Sequence, residues 1–308
     1  MAKMQPIFII GPPRSGTTLL TRLLAGAPGV LGLSEPFHLH AILHRWALRG
    51  FFWDFQRRNK LARVPIPHKC TEMHFLDYLQ NMALANNLRR VVIKEVYKEP
   101  MLPDPFRNFE QLDRFASNEW PLIAITRHPC DAAASTLGLL HHLFGRHRGC
   151  IIRWLWPNTP RFRDDDDIVQ WAARNWACFA AWTRERRLYT VRYEDLVARM
   201  PEILPDICRY AGLSFDKNLL NHHLHRPAAF GGIGDPIVLM QKDRPVHDRS
   251  IGRGRSLTRR QYQTVLDECA EQAVYFGYRL RDNGHAVQPF GATPALQQVA
   301  RAKSVTRV

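Results

Sequence analysis

The sequence predicts an α/β fold with a P-loop-type central parallel sheet covered by helices on both faces. Apolar runs at 6–10, 90–94, 121–126 and 188–193 have the length of buried strands. These runs are largely continuous, which is typical of parallel strands that are covered on both sides. A glycine-rich turn joins the first run to a helical pattern at 17–25, and this strand–loop–helix order is typical of α/β proteins.

The remaining elements alternate along the chain in the same way. The helix at 17–25 ends before Gly26 and Pro28, which both disfavour its continuation. The other predicted elements are, in order, a short strand at 31–33, helices at 40–48 and 71–86, the strand at 90–94, the strand at 121–126 with a helix at 131–144, a helix at 168–187, the strand at 188–193, and helices at 201–211 and 257–276. Residues 221–256, rich in His, Gly, Asp and Arg, are predicted to form a loop.

The chain is interpreted as a single domain. It has 308 residues and contains neither an internal repeat nor a linker-like stretch between the predicted elements. We therefore expect one domain over residues 1–284, followed by a disordered tail at 285–308.

The chain is strongly basic, with 43 Lys and Arg against 28 Asp and Glu and a formal net charge of +15. An excess of this size suggests an anionic ligand, such as nucleic acid, an acidic acceptor or an anionic cofactor. This charge keeps a basic nucleic-acid-binding protein as the alternative from another class, although such a protein would need a contiguous basic face and the arginines here are spread along the sequence.

The cysteine pattern and the hydropathy of the chain indicate the cellular compartment. The six cysteines are dispersed without a CxxC pair, which is typical of reduced thiols in a cytoplasmic protein. The start of the chain, Met1 to Gln5, is too short and polar for a signal peptide. No apolar stretch of about 18 residues could span a membrane. The sequence therefore predicts a cytoplasmic protein without a transmembrane segment.

The strongest local signal is the loop at 11–18, which reads Gly-Pro-Pro-Arg-Ser-Gly-Thr-Thr between the first strand and the first helix. Its glycines have the spacing of a P-loop, in which backbone N–H groups and a helix N-terminus bind phosphate. Thr17 and Thr18 add hydroxyl donors, and Arg14 places a cation inside the loop.

Two departures from the nucleoside triphosphatase pattern disfavour ATP with magnesium. Those enzymes have Lys directly after the second glycine, where this chain has Thr17. The strand at 121–126 runs into Arg127 and not into an aspartate that could hold Mg²⁺. A P-loop kinase acting on a small molecule is kept as the alternative interpretation, although it would need Lys where Thr17 stands.

The segment PIFIIGPPRSGTTLLTRLL at 6–24 resembles the 5′-phosphosulfate loop of sulfotransferases that use 3′-phosphoadenosine 5′-phosphosulfate (PAPS). The Arg form of this loop is more similar to the carbohydrate and tyrosylprotein branches than to the cytosolic phenol branch. The resemblance implies PAPS as donor, 3′-phosphoadenosine 5′-phosphate (PAP) as product and no required metal. It also implies that the cofactor is bound by Arg14, Ser15, Gly16, Thr17 and Thr18.

A second similarity is the pair of Arg127, at a strand end, and Ser135, eight residues later. In the family both residues bind the 3′-phosphate. Independently of the family, an Arg at the C-terminal end of a parallel strand reaches the crevice where ligands bind, and its guanidinium fits a phosphate. Asp131, between them, is predicted to cap the following helix.

The stretch Val-Arg-Tyr-Glu-Asp-Leu at 191–196 is a third similarity to the family. It resembles a motif whose Tyr approaches the nucleotide, which implies this role for Tyr193. Glu194 and Asp195 are predicted to cap a helix.

A late stretch at 250–255, Ser-Ile-Gly-Arg-Gly-Arg, is loosely similar to the family's loop that closes over the 3′-phosphate. The similarity makes Ser250 and Arg253 candidates for cofactor binding. The alternative is a basic surface loop. Together the similarities to the family span residues 6 to 280.

Sulfuryl transfer needs a base for the acceptor's proton and cations for the charge that develops on the transferred group. Arg14 is one candidate cation. Lys94, at the end of the strand at 90–94, is the other, and related branches place a Lys near the sulfuryl group. The alternative for Lys94 is a structural ion pair with Glu95 or Glu99.

The candidate base is Glu35, in the sequence Leu-Ser-Glu-Pro at 33–36. Carbohydrate and tyrosylprotein sulfotransferases have a Glu at a similar place, whereas the phenol branch uses a His. His38 and His40 are close in sequence and are the second choice.

The resemblance implies a hydroxyl or amine acceptor, carried by a small molecule, a saccharide, a glycolipid or a tyrosine side chain. Two groups of histidines, at 141–147 with Cys150 and at 222–225, could be drawn as metal sites. Neither has a recognised ligand spacing, so no metal site is predicted.

Overall fold

A computed structural model of the chain describes residues 4–67, 71–97, 120–144, 162–225, 227, 229–232 and 245–280. Its centre is a six-stranded sheet in the order β5-β4-β1-β3-β2-β6. The strands are β1 (Ile7–Gly11), β2 (Val30–Ser34), β3 (Arg90–Val96), β4 (Leu122–Thr126), β5 (Tyr189–Arg192) and β6 (Ala229–Gly232). All of their pairings are parallel, which confirms the predicted α/β fold.

Helices connect the strands and cover the sheet. They are α1 (Thr17–Ala25), α2 (Pro36–Ile42), α3 (Arg45–Arg58), α4 (Glu72–Leu84), α5 (Pro129–Phe144), α6 (Asp165–Glu185), α7 (Tyr193–Ala198), α8 (Met200–Ala211) and α9 (Arg259–Tyr275), with 3₁₀ turns at Lys217–Asn221 and Arg253–Ser256. Within the described ranges, none of these helices has the length and apolar character needed to cross a membrane.

Both faces of the sheet are buried, as the continuous apolar strands predicted. In β1, Phe8 and Ile10 point into a cluster formed with α2, α3 and α4. Ile7 and Ile9 point the other way, into a cluster formed with α1 and α8. A third cluster joins α5, α6 and α9 beside the sheet. This arrangement is the reason why the strands lack an apolar–polar alternation.

The predicted helix at 40–48 is wrong, because the chain breaks there into α2 and α3. Leu43 and His44 between them have extended backbone, with φ/ψ of −88°/134° and −60°/146°. The break lets both helices bury apolar side chains in one cluster, since Phe37 and Leu39 of α2 and Phe52 of α3 all lie there. No Gly or Pro marks this break in the sequence.

The predicted loop at 221–256 is also partly wrong, because it contains the edge strand β6. Its sequence, Ala-Phe-Gly-Gly, has little strand propensity. The strand forms by pairing with β2, where Leu31 lies opposite Ala229. The residues at 145–161 and beyond 280, including the predicted tail, lie outside the described residues.

The sheet brings the candidate residues to one edge. The loop after β1, Glu35 after β2, Lys94 near the end of β3, Arg127 after β4 and Tyr193 after β5 all lie at C-terminal strand ends. In open parallel sheets this edge is where ligands bind.

Replacing Gly11 with Ala should lower the free energy of unfolding by about 1 to 3 kcal/mol. An added Cβ would lie 2.5 Å from the carbonyl oxygen of Ile125 in β4, which is backbone and cannot rotate away. Urea unfolding followed by circular dichroism measures the change. Gly50→Ala is the control, because nothing lies within 4 Å of that Cβ, and helix propensity predicts a gain of up to about 1 kcal/mol. Unchanged stability of Gly11→Ala would contradict this close packing.

Candidate active site

The loop between β1 and α1 has the conformation of an anion cradle. Arg14 and Gly16 adopt left-handed backbone conformations, with φ of 66° and 90°. The N–H of Ser15 donates to the carbonyl of Pro12 at 3.3 Å. Gly16 caps α1 without a side-chain hydrogen bond, so the first N–H groups of the helix have no side-chain cap there. The Ser15 hydroxyl is buried without a hydrogen-bond partner.

Gly16 is required by the close approach of Tyr193. A Cβ at this position would collide with the Tyr193 ring, and the positive φ disfavours other residues as well. The Tyr193 hydroxyl lies 2.5 Å from the Ser250 Oγ. The segments at 191–196 and 250–255, which resemble the family, therefore lie beside the phosphate loop.

Arg127 lies at the centre of this group. Its guanidinium carbon lies 4.9 Å from the centre of the Tyr193 ring. One of its NH groups donates to the Arg14 carbonyl at 3.0 Å, and another donates to the carbonyl of Ser250. Its Nε is buried without a partner. The indole of Trp176 donates to the Arg127 carbonyl at 2.8 Å and fixes the strand end.

The site is strongly positive. Arg14 Nε donates to the Ser135 hydroxyl at 3.0 Å, which links the phosphate loop to α5. Burial, together with the neighbouring guanidiniums of Arg127 and Arg253, lowers the pKa of Arg14 from 12.5 to about 10. Cations that destabilise one another in this way are expected around an anionic ligand.

Glu35 and Lys94 form a buried ion pair at the ends of β2 and β3. Lys94 Nζ lies 2.5 Å from Glu35 Oε1, and the two side chains are 2% and 8% exposed. The backbone N–H of Glu35 also donates to the Lys94 carbonyl at 2.7 Å. Lys94 thus pairs with the candidate base, and the Glu95 carboxylate accepts from the N–H of Phe37 at 2.8 Å. Glu99 lies outside the described residues.

Glu35 also has a strained backbone, with φ of 54°. Two of the sequence-predicted site residues, Arg14 and Glu35, are thus non-glycine residues in the left-handed region. Such conformations cost about 1 to 3 kcal/mol and often occur at functional sites.

The alternative bases follow Glu35 on α2. His38 is buried, and His40 stacks on Phe75 with ring centroids 4.6 Å apart. The stacking of His40 against a residue of the α2–α4 cluster gives it a packing role.

Asp131 and Glu194 are not the helix caps that the sequence predicts. Asp131 lies inside the first turn of α5, and its carboxylate accepts the N–H groups of Gly252 and Gly254 at 2.7 Å each. Glu194 accepts the N–H of His128 at 2.8 Å and the hydroxyl of Tyr278 at 3.2 Å. Both carboxylates satisfy donors that are distant in sequence, and no local pattern signals such partners.

Asp195 also differs from the predicted cap. Its carboxylate pairs with Arg192 at 2.6 Å and with Arg199 at 3.1 Å, and α7 has no side-chain cap. This buried ion-pair group lies behind the site and holds α7 on β5.

The sequence matches the family described as "Sulfotransferase family" over residues 6–217. The matched range takes in both the phosphate loop and Arg127. The chain belongs to the sulfotransferase family. It is therefore a transferase enzyme, and the family predicted from the segment at 6–24 is confirmed.

Solved sulfotransferase structures are similar to this one in fold. The sulfotransferase domain from the curacin biosynthetic pathway is 17% identical with a TM-score of 0.54, and the match covers 91% of this chain and 100% of that domain. The sulfotransferase domain of the Synechococcus PCC 7002 olefin synthase is 22% identical with a TM-score of 0.46, covering 91% and 98%. Mouse sulfotransferase SULT7A1, complexed with PAP, is 16% identical with a TM-score of 0.48, covering 97% and 89%. A comparison with curated proteins gave no match.

The described part of this sulfotransferase contains no group of three or more His, Cys, Asp or Glu side chains that could hold a metal ion. His222 and His223 lie close together, with ring centroids 5.8 Å apart, and burial lowers the pKa of His222 to about 4. His147 and Cys150 lie outside the described residues.

The buried Glu194 should make stability depend on pH. Burial raises the pKa of Glu194 from 4.5 to about 7. The folded state therefore holds this proton more tightly than the unfolded state, and the stability gained below pH 4.5 is lost as the pH rises to about 7. In the wild type we expect the free energy of unfolding to fall by about 2 to 3 kcal/mol between pH 5 and 7.5. In Glu194→Gln this fall should be absent.

Urea unfolding at the two pH values, for wild type and Glu194→Gln, measures this difference. The exposed Glu202 provides the control substitution, Glu202→Gln, which should leave the wild-type pH dependence in place. A Glu194→Gln protein with the same pH dependence as the wild type would contradict the role of burial.

Proposed function

We propose that this enzyme transfers the sulfuryl group of PAPS to a hydroxyl or amine acceptor, with Glu35 as the base. The observation that carries the proposal is the pair of buried polar atoms without partners, Ser15 Oγ and Arg127 Nε, among three guanidiniums. Buried polar groups are nearly always hydrogen-bonded, so these donors suggest an anion with acceptors at two places.

The phosphate loop fits the 5′-phosphosulfate. The Ser15 hydroxyl and the uncapped N–H groups at the start of α1, together with Thr17 and Thr18, provide donors for its oxygens. Arg14 adds positive charge from within the same loop. The position after Gly16 holds Thr17 and not the Lys that contacts the β- and γ-phosphates in nucleoside triphosphatases, which disfavours ATP as the donor.

The second group, around Arg127, fits the 3′-phosphate. Arg127 lies directly after β4 and Ser135 lies in the second turn of α5, while Ser250 and Arg253 approach from the late loop. The hydrogen bond from Arg14 to Ser135 connects the two phosphate sites. The Tyr193 ring, held between Gly16 and Arg127, provides a flat surface beside the nucleotide.

The ion pair of Glu35 and Lys94 provides the chemistry at the acceptor. PAPS supplies the sulfuryl group, whose sulfur–oxygen bond to the 5′-phosphate breaks as the acceptor oxygen or nitrogen bonds to sulfur, so that PAP leaves with the electron pair. The Lys94 ammonium lies beside the Glu35 carboxylate, which in its ionised form can take the acceptor's proton. When Glu35 takes up that proton, the Lys94 ammonium can stabilise the charge on the oxygens of the transferred group.

The residue proposed as the base favours one class of acceptor. A buried Glu paired with Lys, together with the Arg form of the phosphate loop, favours the carbohydrate or tyrosylprotein branch, and thus a saccharide, glycolipid or tyrosine hydroxyl. Cys130, Cys208 and Cys269 are thiols outside any disulfide, which fits a reducing compartment such as the cytoplasm.

Replacing Arg127 with Ala should weaken PAP binding by 10- to 100-fold, about the free energy of a charged hydrogen bond to phosphate. Isothermal titration calorimetry with PAP measures the change, and ATP with Mg²⁺ is titrated beside it. Arg127→Lys, which keeps the charge but not the planar donors, should lose less. Arg174→Ala is the control, because that guanidinium pairs with Glu268 on the surface. Wild type that binds ATP with Mg²⁺ but not PAP would restore the kinase alternative.

Replacing Glu35 with Gln should lower the transfer rate by about 10²- to 10⁴-fold, the usual contribution of a general base. The affinity for PAP should stay within about 3-fold of the wild type, since Glu35 pairs with Lys94 and is not among the proposed phosphate ligands. Transfer of ³⁵S from labelled PAPS to a phenol, an oligosaccharide and a tyrosine peptide measures both the rate and the acceptor class. His38→Gln is the comparison, and a larger loss there than in Glu35→Gln would make His38 the base.

A further inference from the structure

We propose that Asp131 is a positioning residue that gives the enzyme its preference for nucleotides with a 3′-phosphate. It does so by holding the turn at 252–254 against the proposed 3′-phosphate site. This inference rests on the proposed function, because it names a residue that determines which nucleotide that site accepts.

The Asp131 carboxylate holds two points of one turn. Its two oxygens accept the backbone N–H groups of Gly252 and Gly254, each at 2.7 Å. Asp131 is only 1% exposed, so water does not compete for these bonds. A carboxylate that bridges two N–H groups two residues apart leaves the backbone between them little freedom.

The two glycines are needed for the same contact. Gly252 has φ of 83°, a conformation that favours glycine. A Cβ on Gly254 would lie 2.6 Å from the Cβ of Cys130. The turn is therefore seated directly on the start of α5, one residue from Asp131.

This turn carries the late-loop residues of the proposed 3′-phosphate site. Ser250, two residues before it, contacts both Arg127 and Tyr193. Arg253, at its centre, is exposed but close enough to lower the pKa of Arg14. Since Arg253 is exposed, we infer that its direction is set by the backbone that Asp131 holds.

The charge of Asp131 opposes its positioning role, which makes the proposal easy to test. A carboxylate near an anion weakens binding by Coulomb repulsion, so its neutralisation alone would strengthen PAP binding. Asn at this position keeps the size but offers only one acceptor oxygen, and its amide would face an N–H group. If positioning dominates, Asp131→Asn must bind PAP more weakly in spite of the lost repulsion.

The experiment measures dissociation constants of PAP and of adenosine 5′-monophosphate, which lacks the 3′-phosphate, for wild type and Asp131→Asn. We expect PAP binding to weaken on the order of 10-fold, while binding of the monophosphate changes by less than about 2-fold. Asp216→Asn is the control, because this carboxylate also accepts a backbone N–H, from Asn218 at 2.8 Å, but lies outside the turn at 252–254. It should retain the wild-type preference for PAP.

A second variant keeps the test independent of charge and of the folding of Asp131→Asn. Gly254→Ala pushes the turn away from Cys130 without changing any charge, and the same loss of preference is expected. Unchanged or tighter PAP binding by Asp131→Asn, or a full preference in Gly254→Ala, would overturn the inference. A wild type with no preference for PAP over the monophosphate would instead contradict the proposed function itself.

Discussion

Most of the site depends on one buried cation, the guanidinium of Arg127. Burying a charge is costly unless donors and acceptors around it are arranged in advance. Here Trp176 holds the Arg127 carbonyl, Glu194 holds the next N–H along the chain, and the guanidinium reaches the phosphate loop and the late loop. Four separate parts of the chain are thus fixed around one side chain. The same arrangement leaves Arg127 Nε without a partner, which suits an anionic ligand.

Buried carboxylates balance this positive centre without entering it. Asp131 binds two backbone N–H groups and Glu194 binds one, together with the Tyr278 hydroxyl. Each carboxylate lies behind the residues that face the proposed ligand. The attraction between Arg127 and Glu194 acts in this direction, because it opposes the rise that burial causes in the pKa of Glu194. The net charge of +15 is therefore partly a local property of this site.

Inspection of the sequence could identify those features that depend on a local pattern of residues. The phosphate loop needs its glycines at a fixed spacing, and Arg127 needs a strand end, so both could be found by inspection. The helix break at Leu43 could not, because nothing local opposes a helix there and the break serves packing around Phe37 and Phe52. Strand β6 could not be found either, since its Ala-Phe-Gly-Gly sequence becomes a strand only beside β2.

The sequence by itself determined the parallel α/β fold, the family and the residues at the strand ends, because apolar periodicity and loop spacing are local properties. Only the tertiary structure decided which of these residues are partners. It paired Lys94 with Glu35, and it turned two predicted helix caps into contacts that hold distant backbone. These pairings connect residues about 60 to 120 positions apart, where the chain path and not local propensity sets the distance.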